Sequence, residues 1–295
     1  RPASYRDKEY HSATLCPHKG YRLIYAPNLL TPLEIDSALH TETFGRHVVY
    51  LSSTTSTNEE AKKIAREGAE EGTIVVAEEQ TGGRGRLTRS FYCPFAKGIW
   101  FTLILRPKFF PLEASKCTLM AAVGVCRGIR RLGLQDAGIK WPNDILYHGK
   151  KLVGILTEMS ASMEKIDYII IGAGINTGMK KSEFPELFRE SATSFLAEGI
   201  DVSRKDLLAA ILAELEKEYE IAQTQGFDKV LEDWKALSIT LGQDVRVIMG
   251  EENYTGKAVD IDKDGCLLVD TGEKVERVIA GDVSIRPIDA PLPKR

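Results

Sequence analysis

Apolar positions change their spacing several times along the chain, and each spacing predicts an element. Ala61, Ile64 and Ala65 recur at helical spacing behind Ser56 and Thr57. Each of these hydroxyl residues stands three ahead of an acid, Glu59 and Glu60, the pattern of a capping box. Gly68 supplies a stop signal, so a helix is expected between. His47–Leu51 reads as a short strand, and "GTIVVAEEQ" (72–80) as a buried strand running into a glycine loop. "KGIWFTLILRP" (97–107) is a second strand, and "KIDYIIIGAGINTG" (165–178) a third that ends in glycines. "IKWPNDILYHGKKLVGILTEMS" (139–160) predicts a strand, a turn at Pro142–Asn143, a hairpin at His148–Gly149 and another strand. "LEASKCTLMAAVGVCRGIRRLG" (112–133) predicts a long buried helix, with further helices at about 184–197, 203–225 and 227–237. The stripe Leu207, Leu208, Ile211, Leu212, Leu215 and Tyr219 is core.

After about residue 238 the pattern becomes one of short alternating strands, with turns at Gly250, Asp264–Gly265 and Thr271–Gly272. Strands at this spacing predict a small β-barrel. Residues 1–45 are mixed and poorly periodic; "HKGYRLIYAP" reads as the end of a hairpin and "NLLTPLEIDSALH" as a short helix with a connector. The expected organisation is therefore a linker-like segment over 1–45, an α/β body with a mixed sheet over 46–237, and an all-β module over 238–295.

Composition narrows this reading only slightly. Of 295 residues, 43% are hydrophobic and 27% charged, and the net charge is −3, which argues against a general affinity for nucleic acid or acidic membranes. The five cysteines form no CxxC pair, so they are expected to be reduced thiols of a cytoplasmic protein rather than disulfides or a zinc site. No apolar run reaches the length of a membrane span, and no signal peptide is expected. The first residue is Arg, so the native start is expected to lie upstream.

Candidate chemistry concentrates at the ends of the predicted strands. "QTGGRGR" (80–86) combines three glycines with Arg84 and Arg86. Bare backbone can turn several N–H groups toward one anion, and guanidinium forks suit carboxylate or phosphate. A loop of this composition alone also fits an exposed segment or an RGG-like nucleic-acid contact; its place after an apolar strand favours a ligand site. "KWPND" (140–144) sets Lys140 before a rigid turn, with Trp141 as a flat wall and Asn143 and Asp144 as polar anchors. Lys151 opens the next strand, and "GAGIN" (172–176) lets a ligand, or merely a packed neighbour, approach backbone. There is no P-loop, GxSxG or HExxH motif, and histidines are too few in useful spacing for a metal cage.

Taken in order and spacing, "STN" (56–58), "QTGGRGR", "KWPND", "KKLVGIL" (150–156) and "GAGIN" resemble biotin protein ligases, and "GxAxxIDxxGxLLV" (256–269) extends the resemblance into the small module. The resemblance implies an α+β catalytic domain with a mixed, class II synthetase-like sheet and a C-terminal β-barrel. It implies formation of biotinyl-5′-AMP from biotin and ATP with Mg²⁺, then transfer of biotin to one lysine of a biotin carboxyl carrier domain. It assigns Ser56, Thr57, Asn58 and Gln80 to biotin, and Arg84, Gly85 and Arg86 to the loop that closes over biotin and the adenylate. Lys151 is the lysine near biotin and the phosphate, and Lys140 a second lysine at the reacting centre; with Arg84 and Arg86 they form the catalytic set. Gly154, Gly172 and Gly174 line the biotin pocket. Arg86, Phe91, Trp100, Asn143, Lys151 and Asn176 are expected at the nucleotide, and Asp144 at the metal. Phe91 stands where a tryptophan is expected near the adenine, and Thr88 where a glycine is. Some relatives carry an N-terminal winged helix that represses biotin genes. About 20 residues precede the matching "PHKGYRLIYAPNLLTPLEI", too few for three helices, so this chain is not expected to bind DNA; a homodimer is left open. The alternatives are a biotin-sensing repressor, should a DNA-binding domain lie upstream, and a lipoate or octanoate ligase of related fold.

Overall fold

The computed structural model describes the backbone of residues 12–16, 20–25, 28–86, 89–249, 252–280 and 283–287, and the side chains of 28–86, 89–249 and 253–280. A hairpin of β1 (Ser12–Cys16) and β2 (Gly20–Tyr25) precedes a short helix α1 (Pro32–Asp36). The body is a seven-stranded sheet in the order β3-β4-β5-β9-β8-β7-β6. Its strands are β3 (Val48–Leu51), β4 (Ile74–Ala77), β5 (Gly98–Leu105), β6 (Gly138–Lys140), β7 (Asp144–Tyr147), β8 (Lys150–Ala161) and β9 (Ile166–Asn176). Only β3 and β4 run parallel; every other neighbour is antiparallel, giving the mixed sheet expected. The hairpin between β7 and β8 turns on His148 and Gly149, both at positive φ (48° and 76°), as a tight two-residue turn demands.

The sheet buries its two faces differently. Against one face pack α3 (Cys117–Arg131) and α4 (Arg204–Gln225), with α5 (Asp228–Leu237) beside them. Leu207, Leu208, Ile211, Leu212 and Leu215 are all fully buried, each contributing roughly 1.5–3 kcal/mol of transfer free energy. The helices cross closely because α3 presents glycine: a Cβ on Gly128 would lie 2.7 Å from Ile211 Cα, and one on Gly124 2.9 Å from Leu215 Cα. Against the other face lies α2 (Thr57–Arg66), whose Ala61 and Ala65 pack on Val75, Ile104 and Ile170. This helix covers only part of its face, and the remainder forms the floor of the site described below.

Two sequence expectations are corrected here. The capping boxes do not form: Ser56 occupies the N-cap without a side-chain bond to the helix, and Glu60 accepts from Thr54 Oγ1 instead. Residues 184–197 are not a helix. Phe184 anchors in a small cluster with Cys93 and Trp100, while Phe195 anchors in the main core, so no single helical face could serve both. The chain between them runs through successive turns, with Phe188 N–H on Pro185 O and Ala192 N–H on Phe188 O (both 2.8 Å), and Ala192 bridges in parallel to Lys151.

The C-terminal module is an antiparallel five-stranded sheet in the order β13-β12-β11-β10-β14: β10 (Asp244–Met249), β11 (Glu252–Ile261), β12 (Leu267–Asp270), β13 (Val275–Val278) and β14 (Val283–Pro287). The expected turn at Gly250 lies outside the described residues, as do Leu87 and Thr88. Trp141, expected as a flat wall of the candidate site, is buried, and its Nε1–H donates to Gly265 O (3.1 Å) in this module. Among the described residues no helix is long and apolar enough to cross a membrane.

Candidate active site

Strand register sets the floor of the site. One cross-strand row runs Asp144, Gly154, Gly174, Trp100 and Ala77; the next runs Leu156, Gly172, Thr102 and Val75. Glycine at 154, 174 and 172 leaves a trough where side chains would otherwise stand. Side chains from other elements reach into it. The Phe91 ring lies over Gly174 and Gly154, where added Cβ atoms would come within 2.8 and 3.0 Å of it, and the Asn58 amide lies over Gly172 at 2.0 Å by the same measure. The glycines are therefore required by close approach, with no help from backbone conformation.

The wall above the floor is the loop leaving β4. It folds back on itself: Phe91 N–H donates to Gly83 O (2.9 Å), Gln80 N–H to Cys93 O (3.1 Å), and Gly85 N–H to Arg89 O (2.7 Å). A Cβ on Gly83 would lie 2.5 Å from Phe91 O, so this position admits no side chain; at Gly85 the nearest atom would be 3.6 Å away. Arg86 reaches Asn143 Oδ1 (3.1 Å), which ties the loop to the β6–β7 turn, while the more exposed Arg84 pairs with Glu59 on α2. That pairing, with the stronger Lys62 hydrogen bond, holds the Glu59 carboxyl below the usual range.

Lys151 reaches the same trough through an irregularity in β8. Between Ile145 and Leu146 the β7–β8 register shifts, so Lys151 and Gly154 share a face despite an odd spacing. Its Nζ sits 2.6 Å from Asp144 Oδ1, 5.7 Å from the Phe91 ring centre, and 3.2 Å from where a Gly154 Cβ would be. The segment 191–193 clamps the Lys151 backbone: its N–H donates to Ser191 O (2.8 Å) and its carbonyl accepts from Thr193 N–H (2.9 Å). Asn176 Nδ2 donates to Thr193 O (3.0 Å), and its buried Oδ1 has no protein partner. Lys140 ends β6 opposite Asp144.

At the α2 end, Gln80 Oε1 accepts from Thr57 N–H (2.7 Å) and lies 3.1 Å from Thr57 Oγ1; Gln80 Nε2 donates to Cys93 Sγ (3.1 Å). Burial pushes the Cys93 thiol up to about 12, so it stays a neutral acceptor. Ser56, Thr57 and Asn58 are all buried at this end. The structure thus gathers Thr57, Asn58, Gln80, Phe91, Lys151 and the three glycines around one trough, with Arg86, Asn143 and Asp144 at its edge. Trp100 differs from expectation: it is fully buried with its Nε1–H on Pro94 O (3.3 Å), and it supports Phe91 edge-on from behind (ring centres 6.0 Å apart) rather than opening into the site. Sequence reasoning missed Thr102 and Glu158. The signal for Thr102 was present, as the lone hydroxyl in the wholly buried strand "GIWFTLIL".

This fold is shared with known proteins. A biotin protein ligase from Aquifex aeolicus, solved in complex with biotin and ATP, superposes with a TM-score of 0.71 at 28% identity, covering 82% of this chain and 99% of that one. Residues 50–176 match the biotin/lipoate A/B protein ligase family, and residues 240–286 match the biotin protein ligase C-terminal domain. The bifunctional ligase/repressor BirA of Bacillus subtilis is 38% identical over 279 residues, covering 94% of this chain and 86% of its own length. A biotin–[acetyl-CoA-carboxylase] ligase of Mycobacterium tuberculosis is 32% identical over 245 residues, covering 81% of this chain and 88% of its own length. The chain belongs to the biotin protein ligase family.

Proposed function

We propose that the glycine-floored trough is where this ligase joins biotin to ATP, and that the observation carrying the assignment is Lys151 facing Gly154 and Phe91 across from the Thr57–Gln80 pair. The enzyme activates biotin as biotinyl-5′-AMP and passes it to a lysine of a carrier domain. In the first step a biotin carboxylate oxygen bonds to the α-phosphorus and pyrophosphate leaves. In the second, the carrier amine attacks the acyl carbon and AMP leaves. Both reactants of the first step are anions, so fixed cations supply most of the assistance. Lys151, held ready by Asp144, faces the developing charge. Arg86 braces the loop on Asn143, and Arg84 exchanges Glu59 for the bound anion. Lys140 supplies a further cation at the turn. Ser56, Thr57, Asn58 and Gln80 serve the polar head of biotin, with Gly172 beneath it, and Phe91 lines the acyl chain and adenylate.

Magnesium fits this site as a companion of the phosphates rather than as a resident ion. Among the described residues no group of three His, Cys, Asp or Glu side chains could hold a metal, and Asp144 already carries Lys151. Mg²⁺ binds through few protein ligands when phosphates supply the rest, and the partnerless Asn176 Oδ1 is an oxygen suited to that role. Bound with ATP, the ion would neutralise phosphate charge. The buried, unpaired cysteines among the described residues support a cytoplasmic setting.

Lys151 and its neighbour Lys150 test the assignment. Lys150 pairs across to Tyr147 and lies within electrostatic reach of Glu190, away from the trough. Removing a cation beside developing charge costs on the order of 3 kcal/mol, about two decades in rate; removing a solvated one costs well under about 0.5 kcal/mol. Lys151→Ala should cripple biotinyl-adenylate formation in single-turnover kinetics while Lys150→Ala stays near wild type, both folded by circular dichroism. The reverse order would remove Lys151 from the site.

A further inference from the structure

Thr102 lies one row behind the residues assigned to the biotin head and touches two of them. Its hydroxyl is fully buried at the centre of β5, 2.7 Å from Asn58 Oδ1 and 2.8 Å from Thr57 Oγ1. A threonine hydroxyl has one proton to give, and the surrounding bonds determine where it goes.

The chain of bonds begins at Glu158. Its Oε2 accepts from Asn58 Nδ2 (2.8 Å), and Leu156 O lies on the same side of that amide, 3.4 Å from Nδ2. Both neighbours are acceptors, so the Asn58 NH₂ must face them and its carbonyl Oδ1 must face Thr102. Lys62 holds Glu158 from behind, and although burial works against the Lys62 charge, its bonds to Glu158 and Glu59 raise its pKa above the ordinary value. Thr102 is the donor that Oδ1 meets, and a buried carbonyl left without one costs about 1–3 kcal/mol. The Thr102 proton is therefore committed to Asn58. The Thr57 proton then goes to Thr102 Oγ1, the nearer acceptor at 2.8 Å, because Gln80 Oε1 is 3.1 Å away and already accepts from Thr57 N–H. A lone pair of Thr57 Oγ1 is thereby turned outward. A ligand at this point meets an acceptor, never a hydroxyl donor.

We propose that Thr102 is a positioning residue that sets the polarity of the Thr57–Asn58–Gln80 cluster, so that the pocket selects a ligand presenting an N–H there. The inference rests on the ligase reading, in which that N–H belongs to the ureido ring of biotin. Thr102 acts through Thr57 and Asn58 and does not itself touch the ligand.

The test is binding of biotin and of its two carbamate analogues, each with one ureido N–H replaced by oxygen, by wild-type, Thr102→Val and Thr102→Ser proteins. Wild type should bind one analogue at least about tenfold more weakly than biotin, the value of one net hydrogen bond. Thr102→Val keeps the shape and loses the hydroxyl; it should weaken biotin by about tenfold and leave that analogue within about threefold of its wild-type affinity, erasing the selectivity. Thr102→Ser should restore it. ATP affinity and the melting curve report on general damage. Equal weakening of biotin and both analogues in Thr102→Val, or unchanged selectivity, would overturn the proposal. Wild-type protein that binds no biotin would overturn the ligase reading itself, and the inference with it.

Discussion

Gly83 and Gly85 look equivalent in "GGRGR", yet they carry different demands. Gly83 is packed against the returning chain, where a Cβ would stand 2.5 Å from Phe91 O and 2.8 Å from Cys93 Sγ. Gly85 has ordinary space around it. Gly83→Ala should therefore break the Gly83–Phe91 bond and destabilise the protein by at least about 1 kcal/mol, whereas Gly85→Ala should melt within about 0.5 kcal/mol of wild type. If Gly85→Ala nonetheless loses affinity for biotinyl-adenylate in titration calorimetry, its glycine serves the ligand; equal melting losses for both variants would contradict the distinction. The sequence showed that this loop needs bare backbone but not which glycine needs it for which reason, because the answer depends on a chain segment eight residues further on. Lys151 was legible for a different reason. Simple alternation separates it from Lys150, but its alignment with Gly154 depends on a register shift that no periodicity reveals.

Elements with one regular face were read correctly, and elements with divided loyalties were not. β4, β5, β9, α4 and α5 follow their patterns because each buries one continuous face or both. The stretch 184–197 misleads because Phe184 and Phe195 serve different clusters, and its backbone bonds are divided between local turns and the neighbouring Lys151 and Asn176. The capping boxes fail because Thr57 faces Gln80 and Thr102, and Glu59 faces Lys62 and Arg84. Local propensity lost to tertiary contacts at both places. The α3–α4 crossing supplies an element-scale prediction. In Gly128→Ala the new methyl meets the Ile211 backbone at 2.7 Å, which no rotamer change relieves. A loss of about 1–3 kcal/mol is expected from such overpacking, read as a lower urea midpoint at unchanged slope. An unchanged midpoint would mean the helices separate freely.

At the scale of the molecule, a sheet with one thickly covered face and one partly open face produces the site. The α3–α4 layer covers one face of the sheet, and the short α2 leaves room on the other for a trough whose floor is glycine and whose rim is cationic. The β6–β7 turn joins this body to the C-terminal module through Trp141, which donates to Gly265 O and accepts no role in the trough. The account's central claim is chemical: this chain couples biotin, and not lipoate or octanoate, to a carrier lysine at the expense of ATP. The most direct measurement is mass spectrometry of a biotin carboxyl carrier domain incubated with the protein and MgATP plus each acid in turn. The account predicts one biotinyl group on one lysine, with AMP and pyrophosphate released in equal amounts, and no modification with the other two acids. A carrier left unmodified with biotin, or modified with octanoate or lipoate in its place, would contradict it.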